Sequence, residues 1–355
     1  MPIANEFEWR AMTAAINQIK PAPRFLQDTI FKTRNTNAAE NIDVDVVIGG
    51  RKVLPFVSPV EGGSVVAKMG REMRSIKTPR IRPKKPFSAP ELLNTRGIGA
   101  NLYMGSSGSV AAYRQAKVGQ ELAALRADID TTIEYMCAKA LTGTLTVSQD
   151  NVAFSVDYQV PGAHKPTAAA DWAQLYVPAS GEDDAIPETD IIADIDTWSQ
   201  LIRDAIGFGP SLAICGKNAA NAIRKNTAIS GSAGILDNRR IEGGSLLYDA
   251  NSDYLGTLNG IRLYRYGQSY TLQDGTTGNF VADDYFILVA PQARFSVEFG
   301  MIMDLEADAQ IVSQYFSKSW IEKDPSALWV LAESRPLPVL WQPEAIVYAK
   351  VTNVS

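Results

Sequence analysis

Seven apolar residues between positions 118 and 140 fall on one line. Val118, Leu122, Leu125, Ile129, Ile133, Met136 and Ala140 are spaced by 4, 3, 4, 4, 3 and 4 positions. That spacing is one face of a 3.6-residue period and predicts a helix over 108–142. Arg114, Lys117, Glu121, Arg126, Asp128 and Glu134 fall mostly on other faces. Ser107 or Ser109 is placed to cap the start and Gly143 to end it. At about 1.5 Å per residue the helix runs on the order of 50 Å. A helix so long and one-sided needs a sheet or a second subunit along its flank, with Leu122, Leu125, Ile129 and Ile133 as the core of the seam.

Upstream of the helix the pattern changes. Residues 1–41 read as an arm, with a short helix over Phe7 to Ile19 stopped by Pro21 and Pro23. The following FLQDTIF is too short to bury Phe25, Leu26, Ile30 and Phe31 by itself and needs a partner surface. Residues 42–90 predict an extended loop hairpin. IDVDVVIG alternates, with Val44, Val46 and Ile48 on one face. Gly49-Gly50 offers a turn, and RKVLPFVSPV offers a return strand interrupted by Pro55 and Pro59. Next come eight bases, Lys68, Arg71, Arg74, Lys77, Arg80, Arg82, Lys84 and Lys85, against one acid, Glu72. Pro79, Pro83 and Pro86 keep this stretch extended. A ribbon of this length is marginal alone, which implies that it lies on something.

Downstream, 144–160 predicts a hairpin turning at Gln149-Asp150-Asn151, and 161–190 reads as a polar loop. Residues 191–226 read helix, strand, helix, with Ile192, Ile195, Trp198, Leu201, Ile202 and Ile206 on one face. Short strands fill 241–290. Phe295, Val297, Phe299, Met301, Met303 and Leu305 alternate with mostly polar or small residues, as in one long half-buried strand. ALWVLA and AIVYAKV supply two more strands. The whole is α+β, with an inserted α/β unit near 190–290.

The chemistry-bearing residues exclude more than they offer. His164, the only histidine, sits in the turn-like PGAHKP, which reads as an exposed loop, so paired-histidine metal motifs are absent and a Ser-His-Asp arrangement has little to work with. Cys137 and Cys215 are too few for a disulfide framework or a four-ligand zinc site, and they read as small buried hydrophobes in a reducing cytoplasm. Glu182, Asp183, Asp184, Glu188, Asp190, Asp194 and Asp196 form an acidic run, but its spacing does not match a calcium loop and Pro187 interrupts it. The glycine clusters at 105–109, 230–234 and 242–245 lack the Walker and dinucleotide patterns. No catalytic residue, cofactor or metal site is therefore expected. The N-terminus has no signal-peptide pattern, and no segment offers about 18 uninterrupted apolar residues to span a membrane. A formal net charge of -5 argues against a surface devoted to gripping phosphate. The basic run keeps two readings: a strap pairing with acidic surface on a neighbouring copy, or a nucleic-acid-binding module over 68–85. It contains no aromatic for stacking and no groove-reading helix, which favours the strap.

Several landmarks then occur in one order. They are Val57-Ser58-Pro59, Gly63 and Val65, followed by Thr78-Pro79 and Pro83-Lys84. Later come Asn279-Phe280, Asp283, Leu288, Gln292-Ala293-Arg294, Ala307 to Gln310, Trp320, Asp324-Pro325, Ser334, Pro336, Leu337 and Pro343. With these the chain resembles the lambda-type major capsid (head) protein family of tailed bacteriophages. The resemblance implies the fold shared by tailed-phage and herpesvirus shells: an N-terminal arm (1–41), an extended loop (42–90), a peripheral domain (91–190) with a spine helix at 108–142, an axial domain (191–290) and peripheral return strands (291–355). It implies a structural subunit that self-assembles, as hexamers and pentamers, into an icosahedral head around double-stranded DNA, with the eight bases of the extended loop as inter-subunit contacts. It further implies a separate scaffolding protein, a trimeric cementing protein at three-fold positions, a portal, weak contact with packaged DNA, no membrane partner, and assembly in the bacterial cytoplasm. Lys68 and Lys77 lie on the extended loop, which in some capsid families forms a covalent Lys–Asn bond with a neighbour. The lambda-type likeness implies a non-covalent shell instead.

Overall fold

The computed structural model describes residues 8–21, 24–48, 70–88, 91, 107–149, 152–174, 189–226, 229, 253–305, 309–324 and 326–354. Two short helices, α1 (Trp9–Gln18) and α2 (Phe25–Thr29), precede β1 (Thr33–Thr36). β2 (Asn41–Ile48) and β3 (Gly70–Lys77) pair as an antiparallel ribbon, and β4 (Lys84–Ser88) leaves it for a different sheet. The long helix α3 (Ser107–Leu141) spans 35 residues and leads into a hairpin of β5 (Thr144–Gln149) and β6 (Val152–Asp157). After α4 (Ile191–Ile206), β7 (Leu212–Cys215) and α5 (Lys217–Lys225) come β8 (Asp253–Leu258), β9 (Ile261–Arg265), β10 (Ser269–Thr271), β11 (Thr277–Asn279) and β12 (Tyr285–Val289). After these come β13 (Phe295–Phe299), β14 (Ile302–Asp304), β15 (Ala309–Ile311), β16 (Phe316–Glu322), β17 (Ala327–Glu333), β18 (Pro336–Leu340), a 3-10 turn (Pro343–Ala345) and β19 (Ile346–Lys350).

The spine α3 organises one half of the molecule. None of its seven in-line apolar residues is more than 2% exposed, and Leu122, Leu125, Ile129 and Ile133 lie at the centre. Burying side chains of this size stabilises by about 1.5–3 kcal/mol each. They pack against β17 and β18, so the flank expected for the helix is a sheet of the same chain. The helix ends where Gly143 takes φ 86, a left-handed conformation that suits glycine. Two three-stranded sheets face it, ordered β1-β13-β18 and β16-β17-β4. β13 is buried along its whole length, including the carboxylate of Glu298, which accepts hydrogen bonds from Asn35 Nδ2 (2.8 Å), Asn37 Nδ2 (2.8 Å) and Ser296 Oγ (2.6 Å). A buried carboxylate is tolerated when its lone pairs are filled in this way.

Here the sequence pattern misleads. The alternation from Phe295 to Leu305 does not form one strand. The chain breaks at Gly300 and the parity flips, so Ile302 and Asp304 turn inward while Met303 is 48% and Leu305 100% exposed.

The other half is a five-stranded sheet ordered β19-β12-β7-β9-β8. β7 and β9 run parallel, as a connection through helix α5 requires, and the remaining pairs are antiparallel. β8 and β9 are joined by Asn259-Gly260, both at positive φ, the residue pair such a tight hairpin favours. Gly216 before α5 is forced by space, because a Cβ there would meet the carbonyl oxygens of Ala282 and Asp283. β19 belongs to this sheet, not among the peripheral return strands where 291–355 placed it. A strand this apolar suits either sheet, and only the distant partner β12 decides.

Other expectations also shift. The return strand of the ribbon is Gly70–Lys77; the stretch read for that role, 51–60, lies outside the described residues, as does Gly49-Gly50. Register explains the pairing: Ile42 faces Ile76 and Val44 faces Arg74, which brings Ile42, Val44 and Ile76 against the core. Residues 78–88 are part of the body, with Pro86 tolerated on the edge strand β4. The first helix starts at Trp9, and Phe7 lies outside the described residues. His164 is buried, not exposed: a single 3-10 turn, Gly162–His164, folds its ring onto β19, where Nδ1 lies 2.9 Å from the Ile346 carbonyl oxygen.

Candidate assembly elements

The basic stretch crosses the root of the ribbon, and the body meets it there with carboxylates. Glu333, at the end of β17, has a side chain only 1% exposed. Arg80 grips it with both prongs of its guanidinium, Nη2 to Oε2 at 2.9 Å, and Arg82 Nε adds a third contact at 3.1 Å. The Glu333 hydrogen bond holds the Arg80 guanidinium above its ordinary pKa. Asp304, turned inward by the flip at Gly300, takes Lys318 at 2.9 Å and Arg82 at 3.4 Å. Glu40, where the chain enters the ribbon, takes Arg335 at 2.7 Å and Lys77 at 3.7 Å. The Arg335 hydrogen bond and charge hold the Glu40 carboxyl below the usual range. Lys85 pairs with Glu121 of the spine at 3.0 Å, and the Lys84 ammonium sits 4.7 Å from the centre of the Trp329 ring.

Five of the eight expected contact residues therefore have partners within their own chain. Arg71 and Arg74 are placed by backbone only, opposite Val47 and Val44 on the ribbon, and Lys68 lies outside the described residues. Among the described residues β2 and β3 pair with no strand but each other, and a belt of ion pairs holds the root of this ribbon.

The arm is the second element. It folds back on its own spine and buries Met12, Ile16, Phe25, Leu26, Ile30 and Phe31. The surface FLQDTIF needs is thus α3 itself. Three spine residues one turn apart, Arg126, Asp130 and Glu134, point into this contact, although sequence placed Arg126 and Glu134 largely off the apolar face. Glu134 accepts from the backbone N–H groups of Leu26 (2.7 Å) and Gln27 (3.3 Å) and from the Tyr266 hydroxyl (2.9 Å). Burial outweighs those hydrogen bonds and pushes its carboxyl above the ordinary value. Gln27 donates to the Asp130 carbonyl at 3.0 Å, Tyr315 donates its hydroxyl to the Asp130 carboxylate, and Arg126 donates to the Ile16 carbonyl. On α1, Thr13 exchanges hydrogen bonds at 3.1 Å with both backbone groups of Ser317 on β16. The i, i+4, i+8 spacing of 126, 130 and 134 was the available sign that a polar seam joins a second element here.

The remaining chemistry-bearing residues serve the fold. Asp190 caps α4 by accepting from Ala193 N at 3.0 Å, Asp194 accepts from Trp172 Nε1 at 2.8 Å, and Asp196 accepts from Asn259 Nδ2 at 3.1 Å. Glu182, Asp183, Asp184 and Glu188 lie outside the described residues. Cys137 and Cys215 are fully buried, and burial pushes both thiols up, away from reactive thiolate. Among the described residues no grouping of three or more His, Cys, Asp or Glu side chains is arranged to hold a metal, and no helix is long and apolar enough to cross a membrane.

Comparison with known proteins places this geometry. The family described as Phage major capsid protein E matches residues 8–351. The P21 prophage-derived major head protein of Escherichia coli O6:H1 (strain CFT073) is 25% identical over 350 residues, covering 94% of this chain and 95% of that protein. The major capsid protein of Enterobacteria phage P21 aligns with the same figures. Among solved structures, the putative capsid protein of a prophage from E. coli CFT073 superposes with a TM-score of 0.66 at 18% identity, covering 95% of each chain. The capsid of Ralstonia phage GP4 gives 0.51 at 10% identity, covering 95% of this chain and 93% of that one. At such identities the structural likeness speaks for the fold.

Proposed function

The chain belongs to the Phage major capsid protein E family, matched over residues 8–351, and from that membership we propose that its ribbon is the element that reaches across to neighbouring copies in the head shell. The protein is a structural subunit of a bacteriophage capsid with the α+β fold of phage shells. The observation that supports the ribbon's role is its pairing: β2 and β3 pair only with each other among the described residues, while their root is clamped to the body by Glu40, Asp304 and Glu333. A two-stranded ribbon gains stability by lying on a surface, and a second copy supplies one. In this reading Lys68, Arg71 and Arg74 meet acidic surface on that copy, whereas Lys77, Arg80, Arg82, Lys84 and Lys85 have partners inside the subunit.

The same distribution weakens the nucleic-acid reading of 68–85. Phosphate binding scales with the number of free cations that displace counterions. Four of the eight bases face carboxylates of their own chain instead. Contact with packaged DNA is accordingly weak in this proposal.

The shell is built of hexamers and pentamers, helped by a separate scaffolding protein, interrupted by a portal, and assembled in the host cytoplasm. It performs no reaction and needs no cofactor. A small trimeric cementing protein at the three-fold positions reinforces it without covalent links. Electron microscopy and sedimentation of the purified chain with a co-expressed scaffold test the main claim. Shells or capsomers are expected. A chain that stays small and shifts DNA at physiological salt refutes it. Denaturing electrophoresis of mature particles tests the reinforcement: one band at monomer mass with a second small protein at near-equal copy number is expected, and a ladder of covalent oligomers without it refutes the idea.

A further inference from the structure

The ribbon's two strands enter and leave the body within a few residues of Gly300. On the entry side, Asn37 N donates to the Phe299 carbonyl at 2.8 Å and Met301 N to the Ala39 carbonyl at 3.0 Å. On the exit side, Thr78 N and Oγ1 both donate to the Glu40 carbonyl, at 3.0 and 2.9 Å, which ties the two ends of the ribbon together. Arg335 Nη1 bridges the Met301 carbonyl (2.9 Å) and the Glu40 carboxylate, while its own carbonyl accepts from Gly300 N at 2.9 Å. Ile81 and Ser334 then exchange backbone hydrogen bonds at 2.9 and 3.0 Å as the chain joins the sheet.

Thr78 is buried against the face of Gly300. A Cβ at position 300 would lie 2.3 Å from Thr78 Oγ1 and 3.0 Å from both its Cβ and Cγ2. Gly300 is not at positive φ, so its backbone would accept an alanine; only the space is missing. Glycine is therefore required here by close approach and not by a turn.

We propose that Gly300 and Thr78 are positioning residues for assembly: they form a tight, multiply hydrogen-bonded joint that fixes the direction in which the ribbon leaves the body. This rests on the reading of the ribbon as the element that reaches a neighbouring copy. A ribbon on a loose joint samples many directions, and each contact it makes must first remove that freedom. A ribbon set at one angle presents its far end where the neighbour lies. The parity flip at Gly300 belongs to the same device, because it turns Asp304 inward to hold Arg82 on the exit side.

The test uses the full chain before assembly, with spin labels at E72C on the ribbon and T131C on the exposed side of the spine. Cys137 and Cys215 are buried and stay unlabelled. The unaltered joint should give one narrow distance distribution. G300A should shift or broaden it by several ångström and abolish shells while the subunit keeps its thermal transition. In G300A/T78A the new methyl enters space vacated by Oγ1 and Cγ2, so the distribution should narrow from that of G300A to that of T78A alone, with shells recovering to the T78A level. If G300A does not fold, T78A alone, which removes the Oγ1 bond without a clash, should broaden the distribution. An unchanged distribution in folded G300A or in T78A overturns the joint. A displaced ribbon with normal shells overturns its role in assembly. R71E/R74E separates these from failure of the underlying reading: normal shells from that variant, whose joint is intact, sink the ribbon contact itself.

Discussion

If Arg80 belongs to its own subunit, removing Glu333 must destabilise that subunit before any shell forms. Glu333→Ala deletes a carboxylate 1% exposed that holds two guanidinium groups. Removing one partner of a fully buried pair costs about 3–5 kcal/mol. The Arg80 and Arg82 side chains are 43% and 34% exposed, so water takes up part of the lost interaction, and Arg82 keeps Asp304 at 3.4 Å. A cost of about 2 kcal/mol is the consistent figure, close to a charge-assisted hydrogen bond lost at a half-buried site. Arg80→Ala should cost about 1 kcal/mol, since Arg82 still neutralises Glu333. The double mutant should then show a coupling of about 1 kcal/mol. Urea unfolding of the unassembled subunit reads this as a shift of midpoint at constant slope. A coupling within about 0.3 kcal/mol of zero refutes the reasoning. So does an Arg80→Ala variant of unchanged stability that makes no shells, because Arg80 would then act on the neighbour.

Reversing Arg71 and Arg74 together to Glu should block assembly and leave the thermal transition of the free subunit in place; loss of folding would show that they serve the core instead. Leu125→Asp or Ile129→Asp should cost several kcal/mol by burying an unpaired carboxylate against β17 and β18 and yield insoluble protein, so a soluble, assembling variant would mean the helix face is misassigned. The two perturbed carboxylates predict opposite pH effects. Glu134 has a folded pKa raised above the ordinary 4.5, so the native state binds its proton more readily than the unfolded chain, and stability from this group grows as pH falls through that window. Glu40 has a lowered folded pKa, so its contribution is present above 4.5 and is lost as pH falls through the depressed value. Thermal melts of E134Q and E40Q across acid pH should each remove one of these slopes; identical profiles for both variants and the parent would contradict the assignment.

What the sequence disclosed was what repeats locally. The seam from Val118 to Ala140 is visible because helix period and burial coincide, and the same holds for the face of α4 from Ile192 to Ile206. The ribbon's partner strand was hidden because β2 pairs with Gly70–Lys77, where Ile42 meets Ile76 on the core, and nothing local names that stretch. β19 was misplaced for the same reason, since nothing within Ile346–Lys350 names β12 as its neighbour. The contact made by Arg126, Asp130 and Glu134 was not legible because its partners, Leu26, Gln27 and Tyr315, lie about a hundred residues or more away.

The basic run shows most sharply where one-dimensional reading stops. Eight positive charges in eighteen positions suggest a surface in search of an acidic partner. Whether the partner is another molecule depends on carboxylates at 40, 121, 304 and 333, two of them more than two hundred residues along the chain. Near Gly300, Thr78 closes against the backbone and Asp304 turns toward Arg82 and Lys318. A run of cations can therefore divide its labour, one part holding the ribbon to its own body and the other reaching outward. The dividing line we propose falls where the chain leaves β3: bases from Lys77 onward have partners at home, and those before it are assigned to a second copy.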